Sequence, residues 1–449
     1  MGHGGVSIAG PSVTRLDPAP DPLAAFGAVR HLPWPLLLES AGPLTPHSRY
    51  SYVMADPVRI VCLPAHAHAL DELRALLAEF RRETIPGLPP FQGGLAGYLT
   101  YELGASLEGI ETGGDAPGVL MGLYDKVTAW DRMTGECWVI DGRRSPSAGL
   151  QSSVVGLQAR STTEDRRPTT WRTTDDRRPR TGAVARPAYE SQVQRIRDYI
   201  LAGDVFQVNL SQRFSVPSTR GTLELYQRLQ ARSAAPFSAC FEAGDHDVLS
   251  ISPELFLSLD GGAIETHPIK GTRPRGASSE ADAALVSELL DSRKDRAENV
   301  MIVDLMRNDL SRVAEPGSVE VPSLCALESH PTVHHLVSTV TAQLAPPNDA
   351  FDLLAAALPA GSITGAPKVR AMQIIQALEP VPRGVYCGAI GYIGWDGGMK
   401  LSVAIRTLTR RDGMAQIHAG GGIVLDSDPA AEYDETLAKA RALLEAAAE

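Results

Sequence analysis

Cysteine is scarce in this chain. Cys62, Cys137, Cys240, Cys325 and Cys387 are the only five among 449 residues, and no two of them form a CxxC pair. That spacing argues against a thiolate zinc site or a disulfide framework and suits free thiols in a reducing compartment. Positive charge is also in deficit, with 42 Lys+Arg against 53 Asp+Glu and a formal net charge of −11. Nucleic acid and anionic membrane both call for a basic face, so neither is expected as the main partner. Small anionic substrates stay open, because a few local cations and a divalent metal can reverse the field inside a cleft. No apolar run approaches the roughly 18 residues of a membrane span. The start, MGHGGVSIAG, lacks the basic stretch and apolar core of a secretory signal, and Val6 stands where a myristoylation motif wants Ser or Thr. These absences point to a cytoplasmic protein. Phosphate-loop patterns are missing too. HAGGGIVLDSDP (418–429) has no GxGxxG interval, and GSITGAPK (361–368) has a proline and the wrong interval for a P-loop.

What is present is an ordinary enzyme composition, 43% hydrophobic and 21% charged, in a chain long enough for two or three domain equivalents or one large α/β unit. Residues 143–187 turn polar and carry two near-copies, TTEDRRP (162–168) and TTDDRRP (173–179). With no apolar periodicity such copies cannot stack into a core, so they read as a solvated, flexible linker. It separates an N-terminal subdomain, 1–142, from a second domain, 188–449. The N-terminal part alternates short apolar runs with turn signals and includes a hairpin across Thr134–Gly135 and a helix at 71–83. In the second part the patterns predict helices at 189–203, 222–233, 280–310, 349–357, 367–378 and 429–448. Strands are expected at 204–214, 237–242, 247–251, 254–259, 386–393, 400–409 and 415–418. Hairpin-like neighbours and the lack of a repeated strand–helix–strand spacing suggest an α/β protein of α+β type with mixed or antiparallel sheets.

Several residues could carry chemistry. Glu432 and Glu435 share one helical face. They form either a solvated acidic face with Glu435 reaching Lys439, or part of a hard-metal site, for which Glu298 is a further candidate because it opens an apolar stretch expected to be buried. The glycines of HAGGG could let backbone N–H groups approach an anion, or form a plain turn. Arg406 interrupts an apolar strand, where it is either exposed or a carboxylate clamp. His335 is either a satisfied core residue or a ligand. Lys270, in THPIKGTRPRG (266–276), is either an exposed strand lysine or an amine facing Glu254. In the second case desolvation would favour a neutral nucleophile beside a protonated acid.

The ordered set SPELFL, PIKGTRPRG, ENVMIVDLMRNDL, HHLVS, GSITGAPKVRAM, YCGAIGY, VAIRT and HAGGGIVLDSDPAAEYDET resembles the chorismate-utilising enzymes: anthranilate, aminodeoxychorismate, isochorismate and salicylate synthases. The likeness is dense over 187–445 and weaker before it. It implies largely antiparallel sheets in an interleaved two-layer core flanked by helices, as in the anthranilate synthase large subunit. It also implies chorismate as substrate and Mg²⁺ as cofactor, with Glu298 and Glu435 as direct ligands and Glu432 assisting. Arg406, Tyr386 and the amides of Gly420, Gly421 and Gly422 would hold the enolpyruvyl carboxylate. Thr272 and Ser362 would contact substrate, and His335 would lie near the ring carboxylate and the leaving hydroxyl. Gly421 stands where relatives often carry alanine.

Lys270 discriminates within the family. Anthranilate synthases resemble this stretch with PIAGT, whereas PIKGT is characteristic of aminodeoxychorismate synthase component I. There the lysine attacks C2 as the C4 hydroxyl leaves, with Glu254 assisting as acid, and ammonia then adds at C4 and expels the lysine. The product is 4-amino-4-deoxychorismate, leading to p-aminobenzoate and folate. Water-adding relatives carry a lysine in the QVNLS region, where this chain has Gln207. An anthranilate or salicylate-type synthase is the alternative. Glu39 and Ser40, in LLLES, resemble the tryptophan-binding element of anthranilate synthases. None of the five cysteines sits in a GxCxG turn, so a separate glutamine amidotransferase partner supplying ammonia is expected.

Overall fold

Short apolar strands bounded by turn residues pair with antiparallel neighbours throughout the computed structural model, which describes residues 11–112, 116–142, 153–155 and 184–448. They assemble into two sheets of eleven strands each. Among the described residues the only parallel ladder joins Arg59–Pro64 to Ser153–Val155. Residues 143–152 and 156–183 of the polar segment, which include both near-copies, lie outside the described residues. No described helix is long and apolar enough to cross a membrane.

Each sheet joins a block of strands from before that segment to a block from after it. In the first, Leu36–Glu39 pairs with Phe237–Glu242. In the second, Gly94–Leu99 pairs with Ala389–Gly394. Between the layers lies an aromatic-rich core in which Tyr392 packs on Phe91 at 4.4 Å and on Tyr52 at 5.5 Å. Helices cover the outer faces. Pro22–Val29, Thr222–Arg232 and Pro429–Ala448 bury their apolar stripes against the first sheet. Ala69–Glu79, Arg186–Leu201, Arg293–Ser311, Ala350–Ala357 and Lys368–Leu378 contribute to the other outer core. The fold is the helix-flanked, largely antiparallel double layer that the sequence suggested.

Three local expectations are corrected. The helix expected over 280–310 is two, Ser279–Asp291 and Arg293–Ser311, because Ser292 turns extended and caps the second by accepting from the Asp295 N–H. Within the second helix Ile302, Val303 and Met306 are buried, whereas Val300, expected inside, is exposed. The strand expected over 400–409 is also two. Met399–Val403 belongs to one sheet and Thr407–Arg411 to the other, and the chain crosses between them with Arg406 in the left-handed region at φ 49°. Finally, the HAGGG glycines form no loop. They lie in strand Met414–Ile423, with Gly420, Gly421 and Gly422 opposite Ser211, Leu210 and Asn209.

Candidate active site

A cavity of about 590 Å³ opens beside the crossover at Arg406. Lys270 enters it from strand Ile269–Pro274. That strand pairs with Val333–Gln343, and its register slips between Ile269 and Thr272. Lys270 and Gly271 are therefore the bulged residues, and a bulge turns a side chain out of the normal alternation. Gly271 takes φ 86°, and a Cβ there would press on Asp295 Cβ at 3.0 Å and on Leu289. Glycine meets both demands. Half-buried Lys270 lines the cavity. Desolvation lowers its pKa, against the electrostatic pull of Glu298, Glu254 and Glu435.

Glu254 approaches from the turn before strand Leu255–Asp260 and is buried. Its strand is no direct neighbour of the one carrying Lys270, yet both residues line the cavity. Burial pushes the Glu254 carboxyl up to about 7, only partly offset by Ser362, Lys270 and the Ile269 N–H. Thr272 Oγ1 and His335 Nδ1 share a hydrogen bond of 2.9 Å. Burial, reinforced by Arg406, pushes His335 down to about 3, so its ring is neutral. Asn209 Nδ2, His335 Nε2, Ser362 Oγ and His418 Nε2 are buried polar atoms with no hydrogen-bond partner of normal geometry, and all four residues line this cavity. Unsatisfied buried polar groups are costly, so the cavity is built for a polar ligand.

At one end sits Arg406, which has no ion-pair partner among the described residues and whose pKa is lowered by burial. Tyr386 stacks on His418 at 5.2 Å and 13°. Beneath them Arg383, held by Glu379, donates to Asn209 O at 2.6 Å and Ile363 O at 2.9 Å. Gly420 and Gly422 line the wall. Gly421 faces the carboxylates instead, where a Cβ would stand 3.1 Å from Glu432 Oε2. A Cβ at Gly422 would overlap the Gln207 amide.

Glu298, Glu432 and Glu435 also line the cavity. Burial raises Glu298 and Glu432, the latter accepting from Ser427 Oγ at 2.6 Å. Burial would raise Glu435 as well, but Lys439, Lys294 and Lys270 outweigh it and lower its pKa. Lys439 pairs with Glu435 at 2.6 Å and donates to Gly420 O at 2.9 Å. The helical pairing and the convergence on a shared cavity thus occur together. The three carboxylates do not gather within 4.8 Å of one another. An all-oxygen set of two acids with a third nearby still suits a hard cation, which completes its shell with water and ligand oxygens.

Every residue expected from the sequence at this site lines the cavity except Gly421, which lies behind the wall. Asn209, Lys294, Asp295, Arg273 and His418 line it without having been singled out. His418 opens the HAGGG run and Arg273 lies in PIKGTRPRG, so their motifs held the signal. Glu39 and Ser40 belong to a second cavity of about 520 Å³, along with Tyr50, Phe237, Tyr392 and Lys400. Ser40 Oγ donates to Tyr50 O at 2.7 Å, and Glu39 Oε2 accepts from Tyr226 at 3.0 Å.

Comparison with known proteins gives a consistent picture. The family described as chorismate binding enzyme matches residues 38–445. Aminodeoxychorismate synthase component 1 of Salmonella typhimurium is 40% identical, over 97% of this chain and 98% of that protein. Anthranilate synthase component 1 of Pseudomonas aeruginosa is also 40% identical, over 83% of this chain and 78% of its own. The crystal structure of anthranilate synthase component I from Streptococcus pneumoniae superposes with a TM-score of 0.73 at 31% identity, covering 89% of this chain and 93% of that one.

Proposed function

The chain belongs to the chorismate binding enzyme family, and from that premise we propose that it aminates chorismate, as component 1 of an aminodeoxychorismate synthase. The product is 4-amino-4-deoxychorismate, a precursor of p-aminobenzoate and folate. The observation that carries this reading is the juxtaposition of Lys270 and Glu254 in the cavity. Desolvation favours the neutral amine of Lys270 and the protonated carboxyl of Glu254, whose pKa is shifted to about 7, and these are the forms a nucleophile and an acid require. The Lys270 amine forms a bond to C2, the ring diene shifts, and the C4 hydroxyl departs as water with a proton from Glu254. Ammonia then bonds to C4, the diene shifts back, and the C2–nitrogen bond breaks to return Lys270.

The other residues orient the ring. Arg406 and Tyr386, with the amides of Gly420–Gly422, hold the enolpyruvyl carboxylate. Thr272, hydrogen-bonded to His335 Nδ1, orients the ring so that Nε2 faces the ring carboxylate and the leaving hydroxyl, and Ser362 contacts substrate beside Glu254. Glu298 and Glu435, with Glu432 assisting directly or through water, would hold Mg²⁺, which when bound would supply positive charge for the ring carboxylate. Gln207, where water-adding relatives carry lysine, leaves no base for hydration. Identity to anthranilate synthase is equal at 40%, but the fuller coverage by the aminating relative and the lysine at 270 favour amination.

Relatives named component 1 act with a second component. Here we assign that role to a glutamine amidotransferase in the cytoplasm, and the cavity at Glu39 and Ser40 to an aromatic amino acid such as tryptophan. The test is mass spectrometry of the product formed from chorismate, Mg²⁺ and ammonia. Aminodeoxychorismate that becomes p-aminobenzoate only when a lyase is added is expected. Anthranilate or salicylate formed without a lyase overturns the reading.

A further inference from the structure

Outside the candidate active site, His47, Glu265 and His267 bring one ligand atom each within 4.8 Å of one another, the only such trio of His, Cys, Asp or Glu among the described residues. Strand Ala263–Thr266 carries Glu265, and His267 follows two residues on, so both project to one side. His267 Nε2 lies 2.8 Å from Glu265 Oε1, and His47 Nε2 lies 3.8 Å from that same oxygen. The two rings meet edge to face at 4.2 Å. His47 arrives from the far side on a short helical turn, Pro46–Ser48, capped by Thr45. A tetrahedral centre with bonds of about 2.1 Å separates its donors by about 3.4 Å, so small side-chain rotations close the set.

We propose that His47, Glu265 and His267 form a binding site for a first-row divalent metal of the zinc, cobalt or nickel type, separate from the carboxylate wall at Glu298. Two imidazoles and one carboxylate select borderline ions over Mg²⁺, which wants oxygens alone. His47 and Glu265 line the second cavity, so the coordination position left open by three protein ligands faces that space. Glu328, 3.6 Å from His330, adds negative charge within reach of both histidines. Lys400 donates to His47 O at 2.8 Å. Because His267 precedes Lys270 by three residues, a bound ion would tie the strand run feeding the candidate active site to the 45–48 turn.

The full chain, stripped with a chelator, should be titrated with Co²⁺ in excess Mg²⁺, which occupies the oxygen-only sites. One equivalent bound, with the visible absorption of a low-coordinate nitrogen–oxygen site and displaced one for one by Zn²⁺, is expected. Affinity should fall by about tenfold or more in His47→Ala and in His267→Gln. His47 is only half-buried, so its variant tests the site even if the His267 variant folds poorly. No Co²⁺ uptake, uptake unchanged in His47→Ala, or a thiolate charge-transfer band from one of the cysteines would overturn the proposal.

Discussion

At the scale of single residues, the paired titrations of Lys270 and Glu254 set the pH behaviour. Lys270 must be neutral to attack, so the rate falls on the acid side. Glu254 must hold its proton, so with a pKa of about 7 the rate also falls above neutrality. Measured at constant free NH₃, Glu254→Gln should abolish the alkaline fall and lower kcat by about 10²- to 10⁴-fold, the range for a lost general acid. An alkaline limb that survives in the variant belongs to another group. Stability carries the same signature. A carboxyl raised from 4.5 to about 7 in the folded state binds more protons folded than unfolded between those values, so its contribution weakens as pH rises through that window. The Tm of Glu254→Gln minus that of the parent should therefore be larger at pH 8 than at pH 4. Lys270→Ala should remove amination while leaving chorismate binding within a few-fold, checked by calorimetry.

Secondary-structure elements explain what sequence periodicity could and could not reveal. The helix at Pro429–Ala448 was legible because Pro429 and Asp428, which accepts from the Ala431 N–H, are local start signals. The bulge at Lys270–Gly271 was less legible, since its register arises from pairing with a strand some sixty residues away and only Gly271 marks it locally. Arg406 reads in the sequence as interrupting one continuous strand, but the chain changes sheets there with φ 49°. The break at Ser292 was hidden by helix-compatible residues on both sides. The functional residues were nevertheless recognisable, through ordered motifs rather than through geometry. Gly271→Ala tests the bulge directly. With φ 86° and a Cβ contact at 3.0 Å, it should cost about 1–3 kcal/mol of stability and lower kcat more than it raises KM, by misdirecting the amine. A variant with unchanged Tm and kcat would show that the bulge is unnecessary.

Across the whole molecule, the fold class was readable from short strands with hairpin-like spacing, whereas the sharing of both sheets by early and late strands was not, because sequence patterns carry no partner information for distant strands. Residues 188–449 expressed alone would leave Phe237–Glu242 and Ala389–Gly394 without Leu36–Glu39 and Gly94–Leu99, exposing long apolar edges. Insoluble or aggregated material by size exclusion is expected, and soluble monomer with native circular dichroism would refute it. The sharing of each sheet also sets a schedule during synthesis. Strand Gly94–Leu99 leaves the ribosome long before its partner Ala389–Gly394 exists. At about 5–20 residues per second it waits on the order of tens of seconds with one edge unpaired. A nascent chain stalled before residue 389 should thus be a strong client of holding chaperones, and one released after 423 a weak one.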